Sequence, residues 1–260
     1  MPGQLQTEQR GRVTVLTLSN PDKRNALDPA LCSALTDAVR GLVEAGARCA
    51  VLTGEGDKAF CAGFDVTALP SRTDVAEIAA NPFDPLIDAV SESAIPIVCA
   101  LNGAAFGGGC ELAATCDVRV GHSSVVLAIP PAKLGIVYAA RGLVRLSAIA
   151  GESRARQMFL AARTVTAAEA HTWGLIDEVV AADAVLARAV AIAEGIAELA
   201  PLAVQGMRQS FEALLRRRAD LDDDTRAELD RVRLRAWASA DAAEARAAFA
   251  GKRKPTFRGE

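Results

Sequence analysis

The sequence predicts an α/β fold: a core of alternating strands and helices, followed by a section of helices alone. Three observations predict it. Short apolar, β-branched runs alternate with helical patterns up to about residue 182. Beyond Asp183 the chain carries almost only helical periodicity, rich in alanine and arginine. The 260 residues are 51% hydrophobic and 23% charged, a globular composition long enough to fill one sizeable core.

The elements follow in order. RVTVLTL (Arg12 to Leu18) is rich in β-branched residues and reads as a first strand. NPDKRNAL is a polar loop, and Asp28-Pro29 starts a helix, with a cap residue and then proline at the first helical position. RCAVLT (Arg48 to Thr53) is a second strand, closed by GEGDK. Pro85 to Ser93 reads as a short helix and Ile95 to Leu101 as another strand. A helix to about Cys116 follows the glycines 107–109, and then come the short strands DVRVG and SVVLAI. Helices are expected at Gly142 to Ala150 and Ser153 to Ala162, and Thr166 with Glu169 forms a capping box for the next. IDEVV is the last strand.

Charge and composition exclude several classes. A net charge of -3 argues against a global affinity for nucleic acid or acidic membranes. Arg216 to Arg218, Lys252 to Lys254 and the acidic Asp222 to Asp224 read as solvated helix faces rather than an RNA surface. MPGQLQTEQR lacks the apolar core of a signal peptide, so a cytoplasmic location is expected. The greasiest region, Ile95 to Val120, is interrupted by Asn102, Glu111 and Asp117, so no membrane-spanning helix is expected. Six cysteines without a C-x-x-C pair read as reduced core thiols. Neither His122 nor His171 has a second ligand at helical spacing, so no metal site is expected.

The chemistry concentrates in NGAAFGGGCEL, residues 102–112. No lysine follows the glycines, so they are not a P-loop, and Leu112 stands where a dinucleotide fingerprint needs its last glycine. One reading is a strand-to-helix turn that merely packs closely. The other is a turn whose first helical N–H groups have no partner and whose glycines let a ligand approach. Such a turn can hold a developing negative charge. Glu111 falls in the first helical turn, where it can move a proton at a carbon beside that charge. KAFCAGFD, residues 58–65, is a second tight loop after a strand and can offer the other backbone donor.

KAFCAGFD, then IPIVCALNGAAFGGGCELAATCDVRV, then AFAGKRKPTF, in order between about residues 10 and 257, resemble the enoyl-CoA hydratase/isomerase (crotonase) superfamily. NPDKRNAL matches that family's first loop. The resemblance implies a spiral of β-β-α units, with residues 1–195 as an acyl-CoA-binding core and 196–260 as helices that build trimers, often paired into hexamers. It implies an acyl-CoA thioester substrate and no cofactor beyond its coenzyme A moiety. The backbone N–H groups of Phe64 and Gly108 match the family's oxyanion donors, and Glu111 matches the first of two glutamates that hydratases use. Lys23 and Arg24 fall where basic residues approach the coenzyme A phosphates, the Ala62 backbone matches the one that meets the adenine, and Ala26 is a further coenzyme A-binding candidate.

The pattern breaks in IPPAKLGIVYAARGL, residues 129–143. Hydratases of the family place their second glutamate where this chain has Pro131, which cannot titrate. Tyr138, the chain's one tyrosine, falls beside the expected pocket, as a catalytic candidate or an ordinary packed side chain. PPAKLGIVY resembles the methylmalonyl-CoA decarboxylase branch, whose tyrosine there contacts a substrate carboxylate. That branch has a histidine at the Phe64 position, so the match is partial. Cys61 reads as a small loop residue, since no histidine pairs with it to make a nucleophile. Three activities therefore compete: enoyl-CoA hydration or isomerisation with Glu111 as acid/base, decarboxylation of a malonyl-type thioester, and a coenzyme A- or RNA-binding protein without catalysis.

Overall fold

A computed structural model describes residues 2–68 and 81–260. Two sheets run side by side through the core. The larger is ordered β1 (Gln4–Arg10), β2 (Val13–Ser19), β3 (Cys49–Gly54), β5 (Ile97–Ala100), β7 (Val118–His122), β10 (Glu178–Val180). Its strands are parallel except for the β1–β2 hairpin. The smaller is ordered β4 (Ala59–Cys61), β6 (Ala104–Phe106), β8 (Val126–Ala128), β9 (Thr164–Thr166), with β9 alone antiparallel.

The chain alternates between the sheets. β3 leads to β4, β5 to β6 and β7 to β8, and helices close each turn: α2 (Phe83–Glu92), α3 (Gly108–Thr115), and the pair α4 (Ala140–Ala150) and α5 (Glu152–Leu160). This is the spiral of β-β-α units that the resemblance implied. It carries the carboxyl ends of β4, β6 and β8 to one side, the place where parallel sheets open a crevice for ligands.

Sequence pattern explains the layers. In β2, Leu16 and Leu18 join the large core, which also takes α1 (Pro29–Gly41) through Leu31, Cys32 and Leu35. Val13 and Val15, pointing the other way, pack with α7 (Val185–Ala197). That helix meets the sheet through Val185, Ala189, Ala193 and Ala197, small residues one turn apart that let it lie close. Both faces of β3 are buried, so its sequence CAVLTG is a nearly continuous apolar run rather than an alternating one.

The helix starts follow the predicted caps. Asp28 Oδ1 accepts from the Leu31 amide at 2.8 Å, and Thr166 and Glu169 form the reciprocal capping box of α6 (Ala167–Thr172). All six cysteines are free and buried. Four strands lie outside the sequence-based expectation. β1 is a polar, exposed edge strand with little apolar alternation to reveal it. β4, β6 and β9 have three residues each, too short to show a period.

The last helices are α8 (Pro201–Arg218), α9 (Asp223–Trp237) and α10 (Ala240–Ala250). Arg208 pins α8 to the core. Its buried guanidinium donates to Asp117 Oδ2 at 2.9 Å and to the carbonyls of Val90 at 2.7 Å and Ser91 at 3.0 Å, at the end of α2. Glu212 adds pairs to Arg145 and Ser91. Arg216, Arg217 and Arg253 are each paired with a carboxylate. Leu202, Met207, Phe211 and Leu214 of α8 stand in the open. No helix among the described residues is long and apolar enough to cross a membrane.

Candidate active site

A cavity of about 620 Å³ opens at the carboxyl ends of β4, β6 and β8. Its floor is Ala62 to Phe64 after β4, Phe106 to Gly108 at the end of β6, and Ile129 to Pro131 after β8. The C-terminal helices close its rim with Asp230, Arg233, Leu234, Trp237 and Phe249. The walls are mostly apolar, so polar groups inside act without much competition from water.

The two glycine loops meet in the floor. Gly63 has φ +97°, a left-handed conformation, and a β-carbon there would stand 2.6 Å from the Phe106 carbonyl and 3.3 Å from the Gly108 amide nitrogen. A β-carbon on Gly109 would collide with the Cys61 carbonyl. One on Gly108 would stand 2.7 Å from Phe83 Cε2 and 3.4 Å from the Phe64 amide nitrogen. So the amides of Phe64 and Gly108 share one niche, and only glycine lets the loops come this close. Neither amide donates to an acceptor among the described residues. The Gly107 amide beside them is spent on the Ala128 carbonyl at 2.8 Å. Two free N–H groups, one at a helix N-terminus, can together stabilise an oxyanion.

Glu111 lies one turn into α3, 2% exposed, and lines the same cavity. Tyr138 donates its hydroxyl to Glu111 Oε2 at 2.6 Å, the short contact of a charge-assisted bond. Burial pushes the Glu111 carboxyl above the usual carboxylate range, against the Tyr138 hydrogen bond and the nearby Arg141 and Arg145. Burial and the adjacent carboxylate push the Tyr138 phenol well above its ordinary value, so it keeps its proton. Pro131 is buried in the cavity wall, and Lys133 of the same turn also lines it. Arg141 faces α2, reaching Asp84 Oδ1 at 2.5 Å and Asp88 Oδ1 at 2.8 Å.

The loop 20–27 lies against the floor. Leu27 donates to the Gly63 carbonyl at 2.8 Å, and Ala62 donates to the Arg24 carbonyl at 3.0 Å. Ala26 is buried, its carbonyl accepting from Asn20 Nδ2 at 3.0 Å. Arg24 is exposed, and Lys23, half exposed, reaches Asp65 Oδ2 at 2.6 Å. Thus Phe64, Gly108, Glu111, Tyr138 and Ala62 line one cavity, while Lys23, Arg24 and Ala26 sit on the loop beside it. Cys61 is fully buried, and burial pushes its thiol up to about 12, which leaves almost no thiolate at neutral pH. Among the described residues no group of three or more His, Cys, Asp or Glu is placed to hold a metal ion. Phe83 and Asp84, part of the wall, carry no local motif in the sequence that would have flagged them.

Two unpartnered backbone amides beside a buried carboxylate on the following helix are an arrangement able to stabilise a developing oxyanion. Comparison with known proteins gives it a family. Residues 8–260 match the enoyl-CoA hydratase/isomerase family model, and the chain belongs to that family. A probable enoyl-CoA hydratase of Mycobacterium tuberculosis is 36% identical over 260 residues, covering 96% of this chain and 98% of the relative. The solved structure of a methylmalonyl-CoA decarboxylase in complex with 2-nitronate-propionyl-CoA superposes with a TM-score of 0.94 at 25% identity, over all of both chains. An enoyl-CoA hydratase from Bacillus anthracis superposes with a TM-score of 0.76 at 28% identity, covering 98% of this chain and 99% of that one.

Proposed function

We propose that this protein acts on an acyl-CoA thioester through an oxyanion-stabilised enolate, with one carboxylate, Glu111, as acid and base. The observation that carries this reading is the shared niche of the Phe64 and Gly108 amides, opening into the cavity that Glu111 lines. A thioester oxygen seated there becomes more negative as the α-proton leaves, and both N–H groups bind that charge more tightly than the starting carbonyl. On this reading the coenzyme A arm runs past Ala62 and Ala26, with Lys23 and Arg24 near its phosphates, and needs no other cofactor.

Within the family's chemistry the single carboxylate favours isomerisation over hydration. In a β,γ-enoyl thioester Glu111 takes a proton from the α-carbon. The C–H electron pair passes into the enolate, the double bond moves, and the same carboxyl returns the proton to the γ-carbon. Nothing is gained or lost. Hydration must also activate water, and buried Pro131 supplies no acid for that task.

Decarboxylation of a malonyl-type thioester is the second reading. It is favoured by the 0.94 superposition on a decarboxylase and by Tyr138 in the cavity. Against it, the Tyr138 hydroxyl is already committed to Glu111, and a second carboxylate brought there would meet a like charge. The exposed apolar stripe of α8 supports a homotrimer or a hexamer, with residues 196–260 as the assembling region.

A panel of saturated, α,β-enoyl, β,γ-enoyl and malonyl-type thioesters, incubated in heavy water and read by mass spectrometry, tests the reading. Double-bond migration, with any solvent deuterium in the product of a β,γ-enoyl thioester at its γ-carbon, supports isomerisation. Loss of carbon dioxide alone replaces it with decarboxylation. Binding of coenzyme A without any exchange would mark a protein without catalysis.

A further inference from the structure

Gly142 is the third residue of α4, in ordinary helical conformation, so nothing in its backbone requires glycine. In a helix interior glycine is less favourable than alanine by about 1 kcal/mol. The space around it supplies a reason. A β-carbon on Gly142 would stand 2.6 Å from Tyr138 Cε1 and 2.8 Å from Glu111 Oε1. The missing side chain is the room in which the phenol and the carboxylate meet. Phe159 also packs against the ring, with centroids 5.1 Å apart, which limits the room for the ring to shift.

The consequence is a carboxylate with two unlike oxygens. Oε2 accepts the Tyr138 hydroxyl at 2.6 Å, whereas Oε1 accepts no hydrogen bond from the described residues. We propose that Tyr138 and Gly142 are positioning residues for Glu111, the tyrosine by holding Oε2 and the glycine by leaving the space for that contact, so that Oε1 alone carries the moving proton. This rests on the reading of Glu111 as the acid/base, and it gives Tyr138 a task other than gripping a substrate carboxylate. It also bears on how one carboxyl could serve both ends of an isomerisation: a proton taken on Oε1 stays on the oxygen that must return it, because Oε2 is already occupied by a donor that does not release its proton.

The groups facing Glu111 are few. Besides Tyr138 they are Arg141 and Arg145 from α4, Asp84 from α2, and the neighbouring Cys110 thiol. Of these, Tyr138 is the one that touches the carboxylate. The Tyr138 hydrogen bond favours the ionised carboxylate, so its loss moves the titration of Glu111 to higher pH.

The test uses the full-length protein with ¹³C-labelled glutamate carboxyls, the Glu111 signal being assigned by its absence from Glu111→Gln. In Tyr138→Phe its titration midpoint should rise. In Gly142→Ala it should rise as well, although alanine in a helix would otherwise stabilise the fold. In the double variant, Gly142→Ala should add less than about twofold to the loss of α-proton exchange caused by Tyr138→Phe, because residues of one unit are not additive. An unmoved midpoint in both single variants overturns the proposal whatever the exchange rates do. So does a Gly142→Ala protein that loses thermal stability and coenzyme A affinity together, since that is plain disruption of packing. Absence of exchange in the wild type against every thioester would instead sink the enzymatic reading, and the midpoints would still decide the positioning.

Discussion

The two halves of the cavity are built from different material. The oxyanion half, residues 59–65 and 102–109, is backbone: two amides brought together by glycines where a side chain would collide. The acid half, Glu111 with Tyr138, Gly142 and Pro131, is side chain: a buried carboxyl whose behaviour depends on what three other segments place beside it. The first half is rigid by covalent geometry and hydrogen bonding along the strands. The second is adjustable, since one substitution changes what the carboxylate touches. Related chemistries can therefore share the first half and differ in the second. On the proposed reading this chain follows that division, with Phe64 and Gly108 as the donor pair and Pro131 where the resemblance places a hydratase's second glutamate.

The largest expected effect breaks the acid half outright. Glu111→Gln should lower α-proton exchange of an acyl-CoA in heavy water by about 10²–10⁴-fold, the usual contribution of a positioned acid/base. Coenzyme A affinity should hardly move, and a variant retaining half the wild-type rate would remove Glu111 from the reaction. In the wild type, exchange requires ionised Glu111, whose carboxyl burial has raised. Exchange should therefore fall on the acid side through a pH above the ordinary glutamate value. The same shift has a sign for stability: the folded state holds that proton more tightly than the unfolded chain. Its contribution is present below the ordinary value and is lost as pH rises through the raised one.

Next comes a break in the backbone half. Gly108→Ala puts a methyl against the Phe83 ring and 3.4 Å from the Phe64 amide nitrogen, crowding the niche between the two amides. A loss of about 10²–10³-fold in exchange is expected, as for removal of one oxyanion donor. If exchange survives at full rate while the variant folds, the niche is not where the charge develops.

A comparison between enzymes sharpens the contrast. With Pro131 in the cavity wall, crotonyl-CoA should be hydrated at least ~10²-fold more slowly than by a two-glutamate hydratase in the same assay, because one acid/base is missing. Equal rates would show that another group, Tyr138 being nearest to Glu111, supplies the second proton.

Two smaller effects lie outside the chemistry. Arg208→Ala removes a buried cation that ties α8 to α2, the helix that also presents Phe83 and Asp84 to the cavity. It leaves Asp117 and the carbonyls of Val90, Ser91 and Ser93 without that donor, and denaturant unfolding should show a loss of about 3 kcal/mol. The smallest effect concerns the phosphates. Coenzyme A should raise the thermal midpoint more than pantetheine does, and Lys23→Ala with Arg24→Ala should reduce that difference. Equal stabilisation by pantetheine in the wild type would take the phosphate contact away from this loop.

Local chemistry wrote much of this molecule where it could be read. The cap at Asp28-Pro29, the capping box at Thr166 and Glu169, and the apolar strand at Cys49 to Gly54 are each specified by neighbours in the chain. So is the oxyanion half, because a backbone donor needs only a turn and glycines, and GFD and GGG announce both. By itself the sequence also determined that position 131 holds a proline, which cannot titrate.

Tertiary structure decided the rest. Strands of three residues are too short for a period and exist because a neighbouring strand pairs with them. Tyr138 stood in the sequence as either a packed ring or a catalytic group. Only the turn after β8, laid across α3, put its hydroxyl 2.6 Å from a carboxylate 27 residues away. Gly142 stands in the sequence only as the start of a predicted helix, and the tertiary structure brings that pair into the space beside it. Hydrogen bonds between side chains distant in sequence depend on angles and distances summed over every intervening element. Local preferences carry no record of that sum.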